Sequence, residues 1–255
     1  MTRNGDLAEQ LDAPDQHLDP AIAATYDRTA GAAFSREDIQ ATAEALLELA
    51  DGGPVVEFAI GTGRVALPLA AHGVSVSGMD ISEPMLAELR TKPGGDVIET
   101  IVGDMTSTVM RTDASLVYLV YNTIGNLRTQ AQQVECFRNA AAHLRPHGRF
   151  VIETGVPQPH QLSPGHTIQP LAMTDDHLGF DEYVDRSAQI LVSHHYRFHG
   201  DRVERVSGAF RYVWPSELDL MAQLAGMELE SRWAGWDRSE FTDDSPAHVS
   251  VWRLR

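Results

Sequence analysis

Short apolar runs alternate with helical stripes over the segment from residue 54 to residue 154. The continuously apolar runs predict strands at residues 55–59, 74–79, 97–102, 115–120 and 149–153. Apolar residues at helical spacing predict intervening helices at residues 64–71, from Ser82 onward and at 129–144. An earlier helix is predicted after Ser35, since Ser35 and Asp38 match a capping box. Repeated β–α units indicate a parallel sheet with right-handed crossovers.

The pattern changes after residue 154. Four prolines interrupt the next stretch, and alternation with a period of two then predicts a hairpin around Gly200, with a third strand near residues 179–184. A helix is predicted from Pro215 to Gly226, followed by two last strands at residues 229–236 and 248–253. We therefore expect a flexible tail at residues 1–18 and a main domain formed by residues 19–154 and 214–255. Residues 155–213 are expected to form an inserted β-rich subdomain.

Charge and cysteine content narrow the function. The 255 residues include 20 Lys and Arg against 36 Asp and Glu, a formal net charge of −16. Such a chain repels phosphate backbones and anionic lipid, so we expect neither nucleic acid nor membrane as a partner. We expect a cytoplasmic location because the first residues lack the apolar core of a secretory signal and the longest apolar stretch, roughly residues 114–127, is too short to span a membrane. The single cysteine, Cys136, excludes an intramolecular disulfide and a thiolate metal cluster. We expect no bound metal.

A glycine turn follows the first predicted strand, where Gly61 and Gly63 precede the helix. Glycines there let the backbone approach a ligand while the helix N–H groups point at it. This spacing alone fits a dinucleotide, or a tight turn without a ligand. Glu57 argues against a dinucleotide, because its carboxylate would repel a pyrophosphate and suits a cationic ligand instead.

Acidic residues also follow the next two strands. Asp80 ends the second strand, where a carboxylate can accept hydrogen bonds from both ribose hydroxyls. Asp104 follows the third strand and can accept from an adenine amino group, with Met105 beside the ring. Each acid singly is compatible with a solvated strand end. Together with Glu57 they occupy the carboxyl ends of successive strands, where open α/β sheets bind ligands.

With these motifs the sequence resembles the class I S-adenosylmethionine (SAM) dependent methyltransferases over roughly residues 26–255. Ala59 and Ala66 are mild departures, because alanine leaves the backbone N–H groups available. The resemblance implies a Rossmann-like, seven-stranded, mostly parallel sheet with helices on both faces and an antiparallel β-insertion before the last helix. It also implies SAM as cofactor, with S-adenosylhomocysteine (SAH) as product. The cofactor residues would be Tyr26, Glu57, Gly61, Gly63, Asp80, Ile81, Asp104, Met105 and Tyr121.

The loop at residues 121–127 resembles that of enzymes that methylate amino sugars and other secondary metabolites. It implies methyl transfer to an N or O atom of a small-molecule acceptor in natural-product biosynthesis. We expect Asn122, Asn126 and Arg211 to bind the acceptor. His195, Tyr196 and Glu153 are the candidates for catalysis. His194 and His195 are adjacent on a strand and point to opposite faces, so only one can address the cleft.

Other readings remain open from the sequence. A SAM-binding enzyme that does not methylate, such as a cyclase, or a catalytically silent SAM-binding subunit would keep the same acids. A nicotinamide oxidoreductase is disfavoured by Glu57 and Asp104, and RNA methylation by the net charge. The insertion is expected to cover the acceptor, and its alternative role is to pair two subunits in a homodimer.

Overall fold

A computed structural model describes residues 18–30, 35–159 and 162–255. Most of the predicted tail, residues 1–17, lies outside the described residues. The helices are α1 (Pro20–Ala23), α2 (Tyr26–Ala30), α3 (Arg36–Ala50), α4 (Ala66–Ala71), α5 (Glu83–Thr91), α6 (Gln130–His143) and α7 (Pro215–Leu224). The strands are β1 (Val55–Phe58), β2 (Val76–Asp80), β3 (Glu99–Val102), β4 (Ala114–Leu119), β5 (Leu144–Gly155), β6 (Ile168–Met173), β7 (His177–Asp185), β8 (Ile190–His199), β9 (Arg202–Arg211), β10 (Met227–Trp233) and β11 (Ala247–Leu254).

The main sheet has seven strands in the order β10-β11-β5-β4-β1-β2-β3. The strands from β1 to β5 are parallel, and β11 runs antiparallel to both β5 and β10. The expected seven-stranded, mostly parallel sheet is therefore confirmed. The parallel strands end together at one edge of the sheet.

Alternate side chains of the parallel strands pack on opposite faces of the main sheet. Val56 and Phe58 of β1 belong to a core that includes Phe137 of α6. Val55 belongs to a second core, which includes Leu46 of α3. Both faces are buried beneath helices, which explains why the strands read as continuous apolar runs.

Local signals set the ends of the helices. The capping box of Ser35 and Asp38 begins α3, and the Ser82 hydroxyl accepts the Met85 N–H at the start of α5. Both predicted caps are confirmed. A second capping box, formed by Thr129 and Gln132, begins α6.

The insertion between β5 and α7 is an antiparallel sheet of four strands, in the order β6-β7-β8-β9. The hairpin of β8 and β9 and the strand β7 were expected, whereas β6 was not. Pro170 lies within β6, and prolines in this stretch argued against a strand. It is tolerated because β6 is an edge strand, where one missing N–H donor can face away from the ladder.

A 3₁₀ turn, Thr123–Asn126, joins the two sheets. A Cβ atom on Gly125 would lie 3.4 Å from the Arg211 carbonyl oxygen, so the turn and β9 approach closely. Gln133 of α6 donates to the carbonyls of Ile124 and Leu127 and fixes the turn from below. No helix in the described part of the chain is long and apolar enough to cross a membrane.

Candidate active site

Two neighbouring cavities open at the carboxyl edge of the parallel strands. The smaller has a volume of about 260 Å³ and the larger about 550 Å³. Three residues line both: Tyr26, Thr123 and Asn126. The smaller cavity lies over β1 to β3, and the larger lies between β5 and the inserted sheet. A group held in one cavity can therefore meet a molecule held in the other at the shared wall.

Asp80 ties the glycine turn to the helix that follows β2. Its Oδ2 atom accepts a hydrogen bond of 2.8 Å from the Gly61 N–H, and its Oδ1 atom accepts one of 2.8 Å from the Ser82 N–H. Gly61 has φ of 54°, a left-handed conformation that favours glycine. Both Gly61 and Asp80 line the smaller cavity, as expected.

Gly63 does not line either cavity. A Cβ atom there would lie 2.8 Å from the side chain of Leu89, so this glycine allows close packing of the turn on α5. Its φ of 77° lies in the left-handed region, which also favours glycine. The glycine pattern correctly predicted the turn, and Gly63 contributes to the conformation of the turn and not to the cavity wall.

Glu57 lies behind the turn and does not line the smaller cavity. Its side chain is buried, with 4% of the residue exposed, and accepts a hydrogen bond of 2.7 Å from the Tyr118 hydroxyl. Burial, with the nearby charge of Asp80, raises the pKa of Glu57 to about 8, although Tyr118 and Arg64 oppose the shift. The structure therefore places Glu57 behind the turn, bound to Tyr118 of β4, and not in the cavity wall.

Arg64, which was not predicted as a site residue from the sequence, lies close to Glu57. Its guanidinium lies 5.2 Å from the centroid of the Tyr26 ring and 4.7 Å from that of Tyr121. These distances are typical of cation–π contacts. Its position directly after Gly63 was the available signal. The contacts link the first helices, the glycine turn and the segment after β4.

The far end of the smaller cavity carries the expected adenine residues. Ile81, Asp104 and Met105 line it. The Asp104 carboxylate accepts two hydrogen bonds of 2.7 Å from the backbone and hydroxyl of Thr106, and Asn139 of α6 donates to the Met105 carbonyl. The loop after β3 is therefore fixed, with its acid and its thioether at the cavity wall.

The segment after β4 forms the floor of the larger cavity. Tyr121 and Asn122 both have positive φ, of 58° and 59°. The Asn122 side-chain oxygen, Oδ1, accepts hydrogen bonds from the Thr154 hydroxyl and from the Gly155 N–H. Asn122 and Asn126 line the larger cavity, and Tyr121 lines the larger and not the smaller one. Their roles in binding the acceptor and the cofactor stay predictions.

Glu153 lies beneath this segment and does not line either cavity. It accepts a hydrogen bond of 3.1 Å from the Tyr121 N–H. Burial raises the pKa of Glu153, and the Tyr121 N–H and the Trp236 indole oppose that shift. The structure places it where it supports the backbone conformation of Tyr121.

Arg211 lines the larger cavity, and its guanidinium forms an ion pair with a carboxylate of the protein. The residue is 4% exposed, and its guanidinium lies 2.7 Å from the Glu217 carboxylate. It also donates to the side chains of Gln133 and Gln189. Although burial opposes ionisation of Glu217, hydrogen bonds from Gln189 and Arg211 hold its pKa below the usual value. This pair joins β9 to α6 and α7.

Asp181 of β7 is the acid that the sequence reading missed in the larger cavity. It lines that cavity beside Ser193, its partner in the β7–β8 register. Burial raises the pKa of Asp181, and a hydrogen bond from Ser193 opposes that shift. None of the described basic side chains forms an ion pair with it. The available signal was the alternation of this strand, which puts Asp181 and Glu182 on opposite faces, so that one of the two acids faces the cavity.

His195 and Tyr196 lie on opposite faces of β8, as the alternation requires. His195 shares a face with the cavity residue Ser193, and its Nε2 atom lies 3.3 Å from the Ser193 hydroxyl. Tyr196 stacks on Phe180 of β7 and faces Arg205 of β9, away from the cavity. Neither His195 nor Tyr196 lines the larger cavity. Their catalytic roles stay predictions.

Comparisons with known proteins agree with this arrangement. A methyltransferase domain profile matches residues 55–148. The structure of the CcbJ methyltransferase from Streptomyces caelestis is 36% identical, covers 91% of this chain and 96% of its own, and superposes with a TM-score of 0.81. The cypemycin N-terminal methyltransferase of a Streptomyces species is 25% identical over 182 residues, which are 70% of this chain and 74% of that protein.

A further solved structure is SAM-bound CalS10, an amino pentose methyltransferase from Micromonospora echinaspora. It is 18% identical, covers 91% of this chain and 97% of its own, and has a TM-score of 0.69, which shows a shared fold.

These matches define the class as methyltransferases. Within that class, the chain belongs to the class I SAM-dependent methyltransferases. It is an enzyme that uses SAM, and the resemblance seen in the sequence is confirmed. The smaller cavity fits the cofactor, because it offers a glycine turn with room for close approach and a carboxylate at each end. Among the residues described, no cluster of three or more His, Cys, Asp or Glu could hold a metal ion.

Proposed function

We propose that the protein transfers a methyl group from SAM to an amine nitrogen of a small basic metabolite. The observation that carries the proposal is the Asp181 carboxylate in the wall of a cavity of about 550 Å³. A half-buried carboxylate without an ion-pair partner has lost part of its hydration, so the site favours a ligand that brings a positive charge. Arg211 does not serve as that cation, because Glu217 holds it.

Gly61, Asp80 and Asp104 would hold the cofactor in the smaller cavity, and Tyr26, Thr123 and Asn126 would flank the passage to the larger one. When bound, SAM supplies an electrophilic methyl group on a sulfonium centre. The protein's contribution is to align the acceptor nitrogen with that group and to exclude water. The inserted sheet supports both, since it forms the outer wall of the larger cavity.

Relatives support the same acceptor chemistry. The cypemycin enzyme is named an N-terminal methyltransferase, and CalS10 an amino pentose methyltransferase. A secondary-metabolite amine of about the size of an amino pentose would fit in the larger cavity. Hydroxyl acceptors lack the positive charge that Asp181 favours.

The test is turnover on a panel of amino sugars and small amines, each paired with its hydroxy analogue, with SAH and methylated product measured by mass spectrometry. We expect methylation of amines and not of their analogues. Asp181→Asn should raise the amine KM by about tenfold to a hundredfold, because one charge-assisted hydrogen bond is lost. SAH affinity should not change.

Glu182→Gln is the matched control, because Glu182 is the next residue on β7 and points to the opposite face, near His194. It should leave the amine KM unchanged. Methylation of hydroxy compounds with no effect of Asp181→Asn would contradict the proposal.

A further inference from the structure

Hydrogen-bonding groups lead from the larger cavity through the inserted sheet towards the surface. Ser193 lies directly opposite Asp181 in the β7–β8 register, with both residues at the wall of the larger cavity, and the Ser193 hydroxyl lies 3.3 Å from His195 Nε2. His195 Nδ1 lies 3.0 Å from His177 Nε2. His177 is partly exposed and lies next to the exposed Asp176, whose carboxylate interacts with it electrostatically. The groups thus connect the cavity with solvent.

A glycine makes room for the central contact. Gly179 pairs with His195 in the β7–β8 register. A Cβ atom on Gly179 would lie 3.1 Å from His195 Nδ1 and 3.4 Å from His177 Nε2. The two imidazole rings stack with centroids 5.2 Å apart. Any larger residue at position 179 would push between them.

The surroundings of His195 favour its neutral form. Burial lowers the pKa of His195, and the charges of His177, Arg197 and His194 lower it further. From β9, the apolar Val206 lies opposite His195. A neutral imidazole has one N–H donor and one acceptor nitrogen, so it can receive a proton on one side and release one on the other.

We propose that Asp181, Ser193, His195 and His177 form a proton relay from the acceptor cavity to solvent. The proposal rests on amine methylation as the proposed function. An amine that enters as an ammonium must lose one proton to Asp181 before its nitrogen can attack. The nitrogen lone pair then forms the N–C bond while the C–S bond breaks and its electron pair stays on sulfur, so one proton must leave per methyl group.

The relay returns Asp181 to its ionised form. The Asp181 carboxylic acid gives its proton to the Ser193 hydroxyl oxygen, which gives its own to His195 Nε2. His195 then gives the proton on Nδ1 to His177 Nε2, and His177 releases one from Nδ1 to water. No residue gains or loses a proton overall, but the transfer converts His195 and His177 from the Nδ1-protonated to the Nε2-protonated tautomer. The Nε2-protonated form is therefore the state that accompanies ionised Asp181, and both imidazoles must return to the Nδ1-protonated form before the next proton can pass.

The relay can be tested on the SAH complex without any acceptor. With Asp181 ionised, the Ser193 hydroxyl donates to it, so His195 must donate from Nε2 to Ser193. Long-range ¹H–¹⁵N correlation spectra report this tautomer, with assignment by His195→Gln. We expect wild type and Ser193→Thr to show the Nε2-protonated form. Asp181→Asn and Ser193→Ala should lose that preference.

Glu182→Gln is the control on the opposite face and should alter His194 alone. An identical His195 tautomer in wild type, Asp181→Asn and Ser193→Ala would overturn the relay. With an amine that the wild type methylates, Ser193→Ala should lower kcat by about tenfold while KM stays within about twofold, and Ser193→Thr should restore it. An unchanged kcat would also overturn it. If no amine is methylated, the proposed function fails, while the tautomer measurement still decides whether Asp181 and Ser193 set the protonation of His195.

Discussion

Replacing Asp80 tests the cofactor site and the local fold together. A carboxylate can accept about four hydrogen bonds. The N–H groups of Gly61 and Ser82 each donate to this carboxylate at 2.8 Å and hold it at the edge of the smaller cavity, where the ribose hydroxyls would also donate to it. Asp80→Ala therefore removes bonds that hold the glycine turn together with the bonds that would hold the cofactor.

The magnitudes follow from the number of bonds. A hydrogen bond to a charged group contributes about 1.5–3 kcal/mol, and Asp80 is at the cavity edge, where water can partly replace it. We expect Asp80→Ala to lower the free energy of unfolding by about 3 kcal/mol and to weaken SAH binding by about a hundredfold. Asp80→Asn keeps one acceptor oxygen, so its losses in unfolding free energy and in SAH binding free energy should each be about half of those of Asp80→Ala.

Urea unfolding followed by tryptophan fluorescence measures the first quantity, and calorimetric titration with SAH measures the second. Glu83→Gln removes an exposed acid three positions along the chain and should change neither. A folded Asp80→Ala protein that binds SAH within about threefold of wild type would refute the assignment of the ribose site.

Three further predictions concern the residues around the site. Gly61→Val should abolish SAH binding in calorimetry and destabilise the fold by about 1–2 kcal/mol, because a β-branched residue is forced to a φ of 54°. The pKa of Glu57 is raised to about 8 in the folded protein, so its contribution to stability is present below about pH 4.5 and is lost as the pH rises towards 8. In urea unfolding at several pH values, Glu57→Gln should reduce the slope of the unfolding free energy against pH by up to about 1.4 kcal/mol per pH unit. Equal slopes for wild type and Glu57→Gln would count against the raised pKa. Arg211→Met should lower unfolding stability by about 3–5 kcal/mol through the stranded charge of Glu217, whereas a change confined to acceptor KM would mean that Arg211 binds substrate.

The main sheet could be predicted because its signals are local. A parallel strand buried on both faces reads as an apolar run, and the glycine turn and the acids after it are fixed by their place at a strand end. Gly61, Asp80, Ile81, Asp104 and Met105 line the cofactor cavity for that reason. The conformation at each of these positions depends on a few neighbouring residues.

The acceptor side depends on distant contacts, which the sequence pattern does not contain. Asp181 reaches the larger cavity because of the register between β7 and β8. Arg211 was expected to bind the acceptor, but whether its charge is available depends on Glu217, six positions away on another element. Glu57 shows the same limit, since Tyr118 of β4 engages its carboxylate.

The structure of the protein with SAH and a methylatable amine is the most direct test of the two-cavity account. The account predicts SAH in the smaller cavity, with its ribose on Asp80 and its sulfur at the wall shared by Tyr26, Thr123 and Asn126. The amine should lie in the larger cavity with its nitrogen beside Asp181. An amine bound outside that cavity, or an SAH sulfur directed away from the shared wall, would contradict it.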